Sequence, residues 1–512
     1  MSANATEVAV TKYRWSSTDE QDRFPVEDPA TGAVITVVQG GGAGEVNAAV
    51  ESAHQAFEED WGRRPPVERA RFLLESAEVL ASHADELAEL VSRENGKPIL
   101  DARSFDVATL IGEFKFYAGV VDRLPDELYD QGNLYVKVVY EPLGVVGGII
   151  PFNWPPIHTA GKIAPAIAMG NTVVLKPSEQ APLTTMRIIE LLNTVLPPDV
   201  LHGVPGLGPT TGQALVANPL VRKVSFTGSF KAGAAVAKTA AENVTGVLLE
   251  LGGKNPFIVF DDADIDRVVR DALEGGYFNK GEACTAASRV LIQRGIHDTF
   301  IERLGAGVRA LKTGSGADPA THVGPCVTKA QQEKVLDYIR IGVEEGASIV
   351  AQGALPEDPE LANGFYVAPT LFDGVTRDMR IAQEEIFGPV MSVITFDTED
   401  EAVAIANESE YGLMSAVYTS DAERLFRVAR RIEAGMVLAN NYFRGAVGNP
   451  FGGIKHSGYG REHAIETLHE FAYAKMIRYP SGFGSIPAWR AVSTIFGEAG
   501  SSVSPAERTS AS

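Results

Sequence analysis

The sequence predicts an α/β fold built on two parallel sheets. Three observations point to it. Short apolar runs alternate with amphipathic stretches between about residues 145 and 260, and a second alternation begins after Asp261. The chain, at 512 residues, is also too long for a single hydrophobic core.

Taken in order, Glu45–Phe57 and Val67–Asn95 show helical spacing, while Leu134–Tyr140 alternates like an exposed strand. Pro142 to Gly161 carries no charge, and about 20 apolar residues can cross a bilayer as a helix. Pro142, Gly144, Gly147, Gly148, Pro151, Pro155 and Pro156 argue against a continuous helix, so the segment reads as a buried strand running into a structured loop. Strands are expected at Val145–Ile150, Thr172–Leu175, Val221–Phe226, Val247–Leu251 and Phe257–Phe260. Helices are expected between them at Thr184–Leu196, Gly212–Ala217 and Lys231–Ala241. In the second unit, helices Asp264–Asn279 and His297–Leu311 precede strands Ser348–Ala351 and Val390–Phe396, with the junction near 252–256. Beyond Ser481 the composition turns to Ser, Ala and Gly, and 482–512 is expected to be a mobile tail.

A net charge of −21 makes nucleic acid and anionic membrane surfaces poor partners. The start, MSANATEVAV, lacks the basic and apolar pattern of a signal peptide. Cys284 and Cys326 are the sole cysteines, too few for a disulfide framework or a thiolate zinc site. A cytoplasmic protein without a metal is expected.

Cys284 stands in FNKGEACTAASR. A lone cysteine is more often a buried structural residue than a nucleophile, and a thiol of pKa about 8.5 needs help to react at neutral pH. The small neighbours Gly281, Ala283, Thr285, Ala286 and Ala287 leave this sulfur approachable. Glu250 ends an apolar strand before Gly252 and Gly253. A charge there is either salt-bridged or used, and desolvation raises its pKa toward that of a general base. Asn153, after the first predicted strand, either caps a turn or donates to a developing oxyanion.

Two segments suit a dinucleotide. Lys176 and Glu179 follow a buried strand, at the carboxyl edge where such sheets bind ligands. A carboxylate there holds ribose hydroxyls and repels a 2′-phosphate. Gly228, Ser229 and Gly233 join a strand to a helix whose free N–H groups can meet a pyrophosphate. No G-x-G-x-x-G stands at this position, and strand–Gly–helix turns are frequent.

In sequence order, PFNWP, KPSE, FTGS, ELGGKNP, NKGEACTAASR, EEIFGPV and PFGGIKHSGYGRE resemble the motifs of the aldehyde dehydrogenase superfamily, over roughly residues 20 to 480. The distance of 34 positions from Glu250 to Cys284 also fits that family. The resemblance implies a Rossmann-type cofactor domain at 1–120 and 143–252 and a catalytic domain at 253–456. It also implies a small β bridging unit at 121–142 and 457–481 that pairs subunits into a homodimer or homotetramer.

By similarity, Cys284 is the nucleophile, Asn153 and the Cys284 N–H hold the oxyanion, and Glu250 activates the water that hydrolyses the thioester. Lys162 and Glu462 match positions tied to proton transfer. Phe152, Lys176, Glu179, Gly228, Ser229, Leu251, Glu385 and Phe387 match cofactor contacts, with NAD expected rather than NADP because of Glu179. Trp154, Gly161, Thr285, Arg444 and Gly445 fall at substrate-pocket positions.

The chain departs from the family pattern in three places. Glu282 stands where many members have glutamine. Gly161 and Gly445 replace bulky aromatics, which implies a roomy pocket for a bulky, ring-bearing aldehyde. Arg444 offers a bidentate partner for a carboxylated aldehyde or semialdehyde, although an exposed arginine at a subunit contact is the blander reading. Relatives that pass the acyl group to coenzyme A lack the glutamate that Glu250 supplies. A silent NAD-binding protein would have lost Cys284, Asn153 or Glu250, and all three are present.

Overall fold

Val145–Ile149 lies at the centre of a six-stranded sheet in the computed structural model, which describes residues 23–123, 126–442 and 447–496. From that strand the chain steps outward through Thr172–Lys176 to Leu201–Gly203. It then returns to the opposite side as Val221–Thr227 and Gly246–Glu250, all parallel. Each of the two inner strands, Val145–Ile149 and Thr172–Lys176, is buried along its whole length, as a sheet covered on both faces requires. Strand order therefore reverses between Val145–Ile149 and Val221–Thr227, where Ile149 pairs with Phe226. Loops leaving those two strands diverge and open a crevice at their carboxyl ends.

The second sheet has seven strands in the order Ser348–Gln352, Thr370–Asp373, Val390–Phe396, Arg289–Gln293, Pro256–Val259, Met414–Tyr418 and Met436–Ala439. It is parallel apart from Ser348–Gln352, which runs antiparallel on its edge. Alternate side chains sort to opposite faces. Ile258, Phe260, Leu291 and Ile394 join one core, while Phe257, Val259, Val290 and Val393 join the other.

Both sheets belong to one unit, residues 1–123 and 142–472; a second comprises 124–141 and 473–512. The second is built on a three-stranded sheet in which Leu134–Pro142, all but its last residue in that unit, lies between Glu127–Asp130 and Ala472–Pro480, which enters the unit at Tyr473. Tyr135 and Tyr479 pack at 5.6 Å between ring centres.

The structure differs from the sequence expectations in four places. Residues after Ile149 do not stay a loop, because Pro155–Ala168 is a helix buried throughout. Pro155 and Pro156 start it rather than break it, since a first-turn residue has no intrahelical partner for its N–H. The long helical stretch to Asn95 splits at His83 into Pro66–Ser82 and Ala84–Asn95. Gly458–Tyr459, grouped from sequence with the bridging unit, pairs instead with Glu250 and Leu249 on the edge of the first sheet. In the segment read as a tail, Arg490–Phe496 is helical.

Candidate active site

Cys284 follows a stretch of costly backbone. The helix Ile265–Tyr277 starts on an Asp264 cap and stops where Asn279 (φ 52°), Lys280 (φ 53°) and Gly281 (φ 69°) all turn left-handed. A Cβ on Gly281 would stand 2.1 Å from the Gly388 carbonyl oxygen, so that residue must be glycine. Left-handed non-glycine residues cost about 1–3 kcal/mol each and persist only where the surroundings enforce them. Here Lys280 Nζ donates to Asn95 Oδ1 at 2.8 Å, and Asn279 Nδ2 donates to the Glu282 carbonyl at 2.9 Å. Asn255 Nδ2 then binds the carbonyl oxygens of Cys284 and Ala286 at 2.7 and 2.8 Å. The nucleophile candidate is held on a clamped loop.

Glu282 is fully buried, its Oε1 accepting from Val327 N–H at 3.0 Å and its Oε2 lying 3.5 Å from Lys280 Nζ. The extra charge seen in the sequence thus faces Lys280, and Glu282 lines neither cavity beside the thiol. The carbonyl of Asn153 accepts from Lys97 Nζ and Asn279 Nδ2, while Asn153 Nδ2 donates to the Glu282 carbonyl at 3.2 Å. An amide nitrogen has two hydrogens, and the remaining one is available beside Cys284 on the shared cleft wall.

Two cavities meet at Cys284. The first is a cleft of about 620 Å³, counting its open mouth, at the strand-order reversal. Phe152, Asn153, Gly228, Ser229, Leu251, Glu385 and Phe387 all line it. Ser229 caps the helix Phe230–Glu242, its hydroxyl accepting from Ala232 N–H at 3.3 Å, so the first turn opens toward the cleft. Glu385 Oε1 accepts from Gly253 N–H at 2.9 Å, and a Cβ on Gly252 would come within 2.4 Å of its other oxygen. Phe387 sits at φ 59°, its carbonyl taken by Gln331 Nε2 at 2.6 Å and its ring edge-to-face with Phe152 at 5.9 Å. Gln331 and Lys334 also line this cleft and escaped sequence reading, because their helix Lys329–Glu344 reads as an ordinary amphipathic surface helix.

Lys176 and Glu179 pair at 3.0 Å at the end of Thr172–Lys176, next to the central strand. Neither is on the described cleft wall.

The second cavity is an apolar tunnel of about 850 Å³, again counting its open mouth. Trp154, Cys284 and Thr285 line it as expected, and Tyr442 fixes Thr285 by donating to its carbonyl oxygen at 2.7 Å. Phe105 reaches it from a π-helical turn, Ala102–Val107, a distortion often found at functional sites. The glycine at 161 does not widen the tunnel. Its missing Cβ is replaced by His463, whose Cε1 would lie 2.9 Å away. Burial opposes protonation of that imidazole, but Glu113 Oε1 at 2.8 Å from Nδ1 outweighs it and raises the pKa. Arg444 and Gly445 lie outside the described residues.

Glu250, Lys162 and Glu462 gather behind these walls and line neither cavity. Lys162 Nζ donates to Glu462 Oε1 at 2.9 Å, Thr227 Oγ1 at 2.8 Å and Ser225 Oγ at 3.2 Å. Both Glu250 oxygens are buried without a partner, and one would touch a Cβ on Gly452 at 2.7 Å. Burial first, then the negative charge of Glu462, holds the Glu250 carboxyl well above its ordinary pKa. Among the described residues no cluster of His, Cys, Asp or Glu could hold a metal, and no helix is long and apolar enough to cross a membrane.

A cleft at the carboxyl ends of the parallel strands and an apolar tunnel thus share one thiol, that of Cys284. The chain belongs to the aldehyde dehydrogenase family, whose profile it matches over residues 15–477. It is 54% identical over 481 residues to an aldehyde dehydrogenase of Monascus ruber, covering 94% of this chain and 96% of that one. A betaine aldehyde dehydrogenase of Bacillus subtilis is 38% identical, with 90% and 95% covered. Among solved structures, a betaine aldehyde dehydrogenase from Staphylococcus aureus in complex with NAD+ superimposes with a TM-score of 0.87 at 37% identity, covering 91% of this chain and 92% of that one. This protein is accordingly an NAD-dependent enzyme that oxidises an aldehyde to its carboxylic acid.

Proposed function

We propose that Cys284 carries the acyl group during this oxidation and that the substrate is bulky and ring-bearing. The observation supporting the role of the thiol is its place on both cavity walls, between the cleft and the tunnel. The cleft fits NAD in its chemistry. Glu385 is set to accept ribose hydroxyls, Ser229 and its helix start to receive phosphate oxygens, and Phe152 and Phe387 to bound the nicotinamide end. When bound, NAD+ takes up the hydride.

Cys284, deprotonated to its thiolate before attack, bonds through Sγ to the aldehyde carbon, and the C=O π pair moves onto oxygen to give an oxyanion held by the Asn153 amide and the Cys284 N–H. Loss of hydride from that carbon leaves a thioester. Glu250, rotated toward the sulfur, takes a proton from water; the water oxygen bonds to the acyl carbon, the C–S bond breaks, and the acid leaves. Lys162 and Glu462 pass the proton on from Glu250, to which they lie close enough to shift its titration. Splitting one hard step into two is the general gain of covalent catalysis.

NADH formation across aliphatic, aromatic and carboxylated aldehydes tests the reading. Efficiencies far higher for acetaldehyde or propanal than for benzaldehydes would overturn the ring-bearing substrate. Asn153→Ala is expected to lower kcat about a hundred- to a thousandfold, the usual loss of one oxyanion donor, with KM for NAD little changed. Glu179, paired with Lys176, repels a 2′-phosphate. Glu179→Gln is therefore expected to narrow the NAD-over-NADP preference by about tenfold, measured as a ratio of kcat/KM values.

The exposed apolar side chains Leu128, Met476 and Ile477 in the second unit support its pairing of subunits into a homodimer or homotetramer. Sedimentation velocity tests this. Cytoplasmic residence fits a chain with two cysteines, Cys284 and Cys326, too few for a disulfide framework.

A further inference from the structure

The tunnel contains polar atoms that aldehyde oxidation by itself does not use. His158 lines it, 6% exposed, and both of its ring nitrogens lack a hydrogen-bond partner. Glu113 gives Oε1 to His463, while its buried Oε2 has no partner. Trp154 Nε1 is likewise unpartnered. His158 and Gly161 fall at helical spacing on one face of Pro155–Ala168, and Trp154 is the residue that precedes its first turn. Because Gly161 has no side chain, His463 lies against that same face, and its ring shares the tunnel wall with His158.

Most of the remaining wall is apolar, with Phe105, Ile157, Met414, Leu438 and Phe451 among its residues. A buried polar group without a partner is costly, and residues like these supply none. The imidazole is left to be partnered by whatever occupies the tunnel beside it, substrate or water. Burial, with the nearby charges of Lys162, His463 and Lys97, holds His158 neutral. A neutral imidazole offers one donor and one acceptor, which matches a hydroxyl group. No Lys or Arg stands on the wall among the described residues, and His463 is already paired with Glu113. Phe105, Trp154 and Phe451 favour a flat ring.

We propose that the substrate is an aldehyde on an aromatic ring that also carries a hydroxyl group, and that His158 is the specificity-determining residue that hydrogen-bonds this hydroxyl. Glu113 positions His463 beside it, with Gly161 making the room. The proposal rests on the aldehyde-oxidising reading and narrows its substrate.

The test compares kcat/KM for benzaldehyde with that for meta- and para-hydroxybenzaldehyde, with NAD, in the wild type, His158→Leu and His158→Gln. A para-hydroxyl donates electron density and makes the aldehyde intrinsically less electrophilic, so a preference for it is a binding effect. The wild type is expected to favour at least one hydroxylated ring by about tenfold or more. In His158→Leu that ratio is expected to fall to within about twofold, whereas His158→Gln, which keeps a donor and an acceptor, retains a several-fold preference. Equal efficiencies in the wild type would mean that water partners the imidazole, and would overturn the proposal whether or not the variants fold. An undiminished preference in His158→Leu would also overturn it. No NADH from any aldehyde, in protein that binds NAD, would instead bring down the aldehyde-oxidising reading itself and this proposal with it.

Discussion

Cys284→Ser is expected to lower NADH formation by about ten-thousandfold or more while leaving NAD binding intact. The sulfur is the only thiol on the wall of either described cavity, since Cys326 is buried in the core beneath the second sheet. Serine preserves the volume and the backbone N–H but is a far weaker nucleophile without a strong adjacent base. The backbone geometry should survive, because the left-handed turn at Asn279–Gly281 and the Asn255 clamp do not involve the sulfur. The check is NADH absorbance beside a titration of NAD binding by quenching of protein fluorescence. A serine variant keeping more than about a hundredth of wild-type activity would exclude a covalent route through Cys284.

Glu250→Gln is expected to separate the two halves of the reaction. In the proposed mechanism this carboxylate acts only after acylation, so the variant should release a burst of NADH matching the number of active sites. Turnover should then stall, with the steady-state rate down about a hundred- to ten-thousandfold. The pH profile gives an independent readout. Burial and the charge of Glu462 raise the Glu250 pKa, so the carboxyl is protonated over more of the neutral range than an ordinary glutamate. Its basic form grows as pH rises, and wild-type deacylation should climb with it. The variant should lose that climb. Rapid-quench or stopped-flow measurement across pH distinguishes this from a general loss of folding; a variant with no burst at all would place Glu250 in the first half-reaction instead.

Much of the molecule was legible in the sequence. Alternating apolar runs located Val145–Ile149, Thr172–Lys176, Val221–Thr227 and Val390–Phe396 to within a residue, because strands buried on both faces are largely apolar, although Val221–Thr227 also carries Arg222 and Lys223. Cys284, Asn153 and Glu250 stood out as chemically expensive residues in small or apolar surroundings. The helix Pro155–Ala168 was misread because proline in a first turn is a helix start, whereas proline further along is a break, and position within the helix is unknown before folding. Phe105, Gln331 and Lys334 carried no local signal.

The sequence by itself determined the α/β architecture and the seven ordered motifs, and through those motifs it singled out Cys284 as the candidate nucleophile, since periodicity and residue chemistry are local properties. Only the tertiary structure decided what surrounds that thiol. Gly161 read as added space, yet His463, about 300 positions away, fills it, and a lone Glu113 in an apolar helix meets that ring. Glu282, where many members have glutamine, read as an added charge near the site, and it is buried beside Lys280. Volume, pairing and desolvation depend on which distant segments are packed together, and no spacing along the chain encodes them.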